Sequence, residues 1–114
     1  MPSLYTLRHY VDIEGGDPFA KWFDGLSDYK AQARISARLL RLEHGLFGDC
    51  KPVGEGVWEI KVDAGPGYRI YYAIDDGDAV LLFQGGNKQT QKEDIKMAIR
   101  RWQDWKQRRK NEKR

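Results

Sequence analysis

The chain has little of what usually makes a site legible. Its 114 residues include one cysteine, Cys50, and two histidines, His9 and His44. A single cysteine excludes an internal disulfide and a cysteine-based zinc cluster. Two histidines exclude a multi-histidine centre, so no metal and no cofactor are expected. No apolar run approaches the ~20 residues that span a bilayer, so no membrane partner is expected. The start, Met1-Pro2-Ser3-Leu4-Tyr5, lacks a charged leader before an apolar block. No secretory leader is expected there, and the expected compartment is the cytoplasm. No glycine-rich run ends in Gly-Lys-Ser/Thr, so there is no phosphate-cradling P-loop. Gly65-Pro66-Gly67 lies between two strand-like runs and reads as a hairpin turn, not as a dinucleotide fingerprint. With few serines and two histidines, a Ser/His/Asp triad is not expected.

What is present suffices for one soluble domain. Hydrophobic residues make up 40 %, aromatics 12 % and charged residues 32 %, a mixture that can fill a core and keep a polar surface. The net charge of +3 is unevenly spread. Residues 90–114 hold ten Lys/Arg and four Asp/Glu, a net of +6, whereas residues 1–89 hold ten against thirteen, a net of −3. A basic arm on a mildly acidic body fits a polyanionic or acidic partner, or a solvated tail. The expected division is a domain over 1–105 and a frayed basic tail over 106–114.

Periodicity places the elements. Tyr5 to Val11 is rich in β-formers and reads as a strand. Asp17 followed by Pro18 suits a helix start, and Phe19, Trp22, Phe23 and Leu26 follow at helical spacing. A second helix runs from about Tyr29 to His44 and stops at Gly45. Ala31, Ile35, Leu39 and Leu42 form its apolar stripe. Lys30, Arg34, Arg38 and Arg41 form a basic one, which suits nucleic acid, an acidic partner or solvent. Leu46 to Glu55 reads as a loop. Strands are expected over Gly56–Asp63, Tyr68–Ile74 and Ala79–Gln84, joined by short turns as an antiparallel meander. Thr90-Gln91-Lys92-Glu93 fits a capping box before a last helix whose inward face carries Ile95, Ala98, Ile99, Trp102 and Trp105. The order β-α-α-β-β-β-α assigns the α+β class.

One constellation follows from strand geometry. A hairpin centred on Gly65 sets Lys61 opposite Arg69 and Glu59 opposite Tyr71. This register agrees with the alternation on both strands. Two cations facing each other on a sheet repel, which makes sense if an anion binds between them, with Lys88 as a third cation at the same edge. Alternatively, Lys61 pairs with Glu59 and Glu55, and Arg69 is a surface charge. Both readings stay open on spacing alone.

At this point a resemblance emerges. The run Gly48-Asp49-Cys50-Lys51-Pro52-Val53-Gly54-Glu55-Gly56-Val57-Trp58-Glu59-Ile60 resembles the loop-strand signature of the RelE/HigB/ParE superfamily of toxins. It is most similar to the branch called addiction-module killer proteins, or phage-derived HigB-like toxins. Gly65 to Tyr72, Leu82 to Gln91, Asp94-Ile95 and Ala98 continue it, and the similarity covers roughly residues 4 to 104. The resemblance implies a RelE-like fold, an antiparallel sheet packed against helices, and the toxin of a type II toxin–antitoxin pair. It implies a ribosome-dependent, metal-independent endoribonuclease that cuts mRNA and inhibits translation. Its partners would be a cognate helix-turn-helix antitoxin, the ribosome and mRNA. Alternatives it also implies are a ParE-like inhibitor of DNA gyrase and an inactive antitoxin-binding homologue. Lys61, Arg69 and Lys88 match the family's basic catalytic positions. Tyr68 and Tyr71 are candidates for stacking on a base, and Gln91 for orienting phosphate or ribose. Glu59 stands where RelE has a second lysine, and Asp94 where RelE has a tyrosine. The HigB-type histidines near the C-terminus are absent. The general base is open between Glu59 and Tyr71.

Overall fold

The computed structural model describes residues 4–112; Met1–Ser3 and the last two residues of the expected tail, Lys113 and Arg114, lie outside the described residues. Eight elements follow in order: β1 (Thr6–His9), α1 (Pro18–Asp24), α2 (Tyr29–Glu43), β2 (Cys50–Gly54), β3 (Val57–Val62), β4 (Tyr68–Asp75), β5 (Ala79–Asn87) and α3 (Gln91–Glu112). The five strands form one sheet ordered β1-β5-β4-β3-β2. β1 lies parallel to β5, and every other neighbouring pair is antiparallel. The class is α+β, with a mixed sheet where an all-antiparallel one was expected.

The helices begin where the local chemistry directs. The Asp17 carboxylate accepts from the Ala20 amide ahead of Pro18, and the Asp28 carboxylate accepts from the Ala31 amide at the start of α2. Each cap satisfies one of the amides that a first turn leaves without a partner. The stripe Ala31, Ile35, Leu39 and Leu42 is buried as its spacing requires. It packs with Phe19 of α1 onto Ile60, Val62, Ile70, Tyr72, Val80 and Leu82. The opposite face of the sheet carries Val57, Tyr71, Ala73, Leu81 and Phe83, and α3 covers it with Ala98 and Trp102. The sheet is therefore buried on both faces, between α1 and α2 on one side and α3 on the other.

Four sequence expectations need correction. Cys50–Gly54, read as a loop, is the edge strand β2; the turn-formers Gly48, Pro52 and Gly54 obscure it, and Pro is tolerated at an edge. The element order is thus β-α-α-β-β-β-β-α. β5 continues past Gln84 to Asn87. Gly85 and Gly86 continue the strand as glycines because neighbours press on them: an added Cβ would collide with the Trp22 ring at Gly85 and with the Asp94 carboxylate at Gly86. Residues 106–112, expected as tail, lie within α3. α3 runs to Glu112, because Arg108 bonds Asp104 and the Val11 carbonyl, and Arg109 bonds Asp75 and Asp76. Finally, Thr90 does not act as a capping box. Its hydroxyl donates to Asp94 Oδ2 at 2.6 Å and accepts from the Asn87 amide.

Two outcomes follow from this packing. Trp102 is 9 % exposed and meets Phe83 at a 6.0 Å ring separation. Trp102→Ala is expected to cost ~3–5 kcal/mol, a large share of a small domain's stability; a thermal melt matching the parent would refute that packing. The second concerns alkali. Burial and the Asp104 carboxylate push the Tyr10 phenol up to about 12, and burial holds those of Tyr71 and Tyr72 well above the usual tyrosine range. A phenol raised in the folded state contributes stability that is complete below its ordinary value near 10 and is lost as pH rises through the folded value. The Tm should therefore fall above about pH 10. Phenolate absorbance of Tyr10, Tyr71 and Tyr72 should appear only as the protein unfolds.

Candidate functional site

The hairpin register expected from sequence is the one observed. Glu59 is opposite Tyr71 and Lys61 is opposite Arg69. β2 adds a third strand, with Lys51 opposite Glu59, and β5 adds a fourth, with Gln84 opposite Tyr71 and Gly86 opposite Arg69. Because side chains alternate between faces, Lys51, Glu59, Tyr71 and Gln84 form a row across the face that α3 covers. Lys61 and Arg69 form a shorter row beside it. Gly86 completes that second row without a side chain, which leaves room for Asp94 and Thr90 at the start of α3.

Glu59 is the centre of the arrangement. It is 2 % exposed, an unusual place for a carboxylate. Its Oε2 accepts from the Tyr71 hydroxyl at 3.0 Å and from Gln91 Nε2 at 2.8 Å. Its Oε1 faces Arg69 Nε at 3.6 Å and Lys51 Nζ at 3.7 Å. Burial and the Glu59 carboxylate raise the Tyr71 phenol far above neutrality, so Tyr71 holds its proton and donates it to Glu59. That removes Tyr71 from the candidates for general base. Being wholly buried, it also cannot stack on an incoming base.

The network continues under α3. Gln84 donates to Asp94 Oδ1 at 3.1 Å and accepts from Arg101. Burial lowers the Arg101 guanidinium from its ordinary value. The polar half of α3 thus sits on polar groups of the sheet, and the apolar half sits on Phe83 and its neighbours.

The Oε1 side of Glu59 opens into a cavity of about 240 Å³ lined by Asp49, Lys51, Glu59, Lys61 and Arg69. Arg69 is only 11 % exposed, and its buried Nε has no hydrogen-bond acceptor among the described residues. Lys61 is exposed at the cavity rim. The expected repulsion between Lys61 and Arg69 is relieved because Arg69 turns towards Glu59. Arg69 is therefore not a surface charge.

The remaining candidates are placed elsewhere. Lys88 follows β5 and lines a separate cavity with Pro66, Asn87 and Gln89. Tyr68 lies on the opposite face of the sheet, with its ring 5.9 Å from that of Trp22. Gln91 is engaged with Glu59. Lys51 was missed because its strand was read as a loop; Lys51 and Glu59 flank the turn at Glu55-Gly56, and that hairpin spacing was the available signal. Among the described residues no group of three or more His, Cys, Asp or Glu side chains is arranged to hold a metal ion. None of the helices described is long and apolar enough to cross a membrane.

Comparison with known proteins places this chain in a family. Residues 21–103 match the family model described as "Phage derived protein Gp49-like (DUF891)". The matched stretch contains every residue of the cavity and stops short of the last turns of α3. An uncharacterized protein of Haemophilus influenzae is 45 % identical over 88 residues, spanning 77 % of this chain and 89 % of the relative. The chain belongs to the Gp49-like family of phage-derived proteins, a family of the RelE/HigB toxin-like type.

Proposed function

We propose that this protein is the toxin of a toxin–antitoxin pair and that it acts as an endoribonuclease on mRNA at the ribosome, inhibiting translation. The observation that carries the reading is Arg69. A guanidinium held nearly out of water, with a buried N–H lacking an acceptor, beside two lysines, is a preorganised anion site. A phosphodiester is the anion that matches it.

In this reading the cavity binds one phosphate of the message. Lys61 and Arg69 hold its non-bridging oxygens, and Lys51 adds a third cation. The 2′-hydroxyl of the preceding ribose attacks phosphorus, and the bond to the 5′-oxygen breaks. Glu59 takes the 2′-hydroxyl proton on Oε1, the oxygen that faces the cavity. Tyr71 and Gln91 fix the carboxylate through Oε2 and leave Oε1 for the reaction. The leaving 5′-oxygen takes a proton from the exposed Lys61 ammonium. The products are a 2′,3′-cyclic phosphate and a 5′-hydroxyl end. Negative charge grows on the phosphate in the transition state, where fixed cations are most effective. Lys88 and Tyr68 take no part in this step. The family membership supports the toxin reading, and an antitoxin is the partner that it implies.

The test is a translating cell-free extract given the purified protein, with mRNA ends mapped by primer extension. New 5′ ends that appear only in translating samples are the expected result. Intact mRNA together with loss of gyrase supercoiling would overturn the reading in favour of a gyrase inhibitor. Two variants separate chemistry from structure. Lys61→Ala removes an exposed charge and is expected to lower the cleavage rate by about 10²–10³-fold, with stability unchanged within ~0.5 kcal/mol. Arg69→Ala should lower the rate similarly, and also lower stability by ~1–3 kcal/mol because Glu59 loses a buried neighbour. Lys51, Tyr71 and Gln91 keep the loss below the ~3–5 kcal/mol of an isolated buried pair. Melting both variants beside the parent reads the difference. A Lys61→Ala protein with full cleavage activity would remove Lys61 from the site.

A further inference from the structure

We propose that the cleft between α2 and β3 is a phosphodiester-binding track that holds single-stranded RNA alongside the cavity at Glu59. The identity of the strand rests on the nuclease reading above; the anion site itself rests on the geometry of the cleft.

The cleft has a volume of about 530 Å³, and its cationic lining is Arg34, Arg38, Arg41 and Lys61. Arg34, Arg38 and Arg41 stand at i, i+4 and i+7 on α2 and so share one helix face. At 1.5 Å per residue they cover about 10 Å of helix axis, which is room for more than one phosphate. Two of them are held in place by backbone. Arg34 Nη1 donates to the Asp63 carbonyl at 2.7 Å, and Arg38 Nη2 donates to the Asp49 carbonyl at 3.5 Å. Each fork uses one N–H on the protein and keeps the others. Asp49 and Asp63 also line the cleft. Among the described residues, however, neither carboxylate forms an ion pair with these cations, and none of the four cations is ion-paired at all.

Continuity points to a strand. Lys61 and Asp49 line both this cleft and the smaller cavity that holds Glu59 and Arg69. One chain of phosphates can therefore run from Arg41 past Arg38 and Arg34 to Lys61 and on to Arg69. Guanidinium forks match phosphate oxygens two at a time. Duplex is a poorer fit, because the smaller cavity takes a single phosphate next to a buried carboxylate.

The experiment measures binding of a fluorescent decanucleotide with 2′-O-methyl riboses, which cannot undergo attack by the 2′-oxygen, across a salt series. A trinucleotide of the same chemistry serves as the short probe. Binding is read without cleavage, so failure of the nuclease reading and failure of the track give different results. The variant Arg34→Ala/Arg38→Ala/Arg41→Ala is expected to weaken decanucleotide binding at least tenfold. The slope of log affinity against log salt should fall by about 2, since each phosphate contact on a single strand contributes about 0.7. Trinucleotide binding should change less than twofold. Arg41→Glu guards against misfolding, because the Arg41 guanidinium makes no hydrogen bond or ion pair among the described residues; it should weaken the decanucleotide alone, with the melt unchanged. An unchanged salt slope in the triple variant would overturn the proposal. So would an equal loss of affinity for a polyglutamate peptide of matched charge, which would assign the cleft to an acidic protein partner instead.

Discussion

Glu59 is a carboxylate buried beneath a helix, and the surrounding arrangement follows from the need to satisfy it. A charge taken out of water is costly unless hydrogen bonds and opposite charges replace its hydration. Four side chains from three elements supply them: Tyr71 and Arg69 from β4, Gln91 from α3 and Lys51 from the edge strand β2. The division of labour is by oxygen. Oε2 receives two neutral donors inside the protein, and Oε1 meets two cations at the cavity. One face of the carboxylate is thereby structural, and the other is available to a ligand.

The helix that covers this site has two kinds of contact. Ala98 and Trp102 pack on apolar strand residues. Gln91, Asp94 and Arg101 meet the sheet through polar partners, Glu59 and Gln84, that lie in one row across the strands. The apolar contacts set the depth of the helix, and the polar ones set its rotation and register. Glycine at 85 and 86 allows both faces of β5 to be approached closely, by Trp22 on one side and by Asp94 on the other. A helix placed this way holds Gln91 against Glu59 in the folded protein itself.

Charge is distributed to match. The excess of Lys/Arg in residues 90–114 is a property of the whole segment, but part of it is consumed internally. Arg108 and Arg109 bind Asp104, Asp75, Asp76 and the Val11 carbonyl, and so anchor the end of α3 to the strands. Arg34, Arg38 and Arg41 on α2 and Lys61 on β3 line one cleft and form no ion pair among the described residues. Net charge alone pointed to the C-terminal arm, and contacts move attention to the cleft beside the cavity.

The sequence by itself determined what depends on neighbours along the chain. The apolar stripe of α2, the Asp17 and Asp28 caps, and the pairing of Lys61 with Arg69 and Glu59 with Tyr71 follow from periodicity and turn position. The family signature lies in the same stretches. Alternation also separated the two faces of the hairpin, but it carries no information about what covers each face. Only the tertiary structure decided that α3 lies over Glu59 and Tyr71, that Cys50–Gly54 pairs at the edge and brings in Lys51, and that β1 joins β5 in parallel. It also decided that Tyr68 faces α1 and that Lys88 lines another cavity. The reason is physical: strand pairing and helix docking join residues far apart in the chain, and the burial of Glu59 exists only once those distant parts have met.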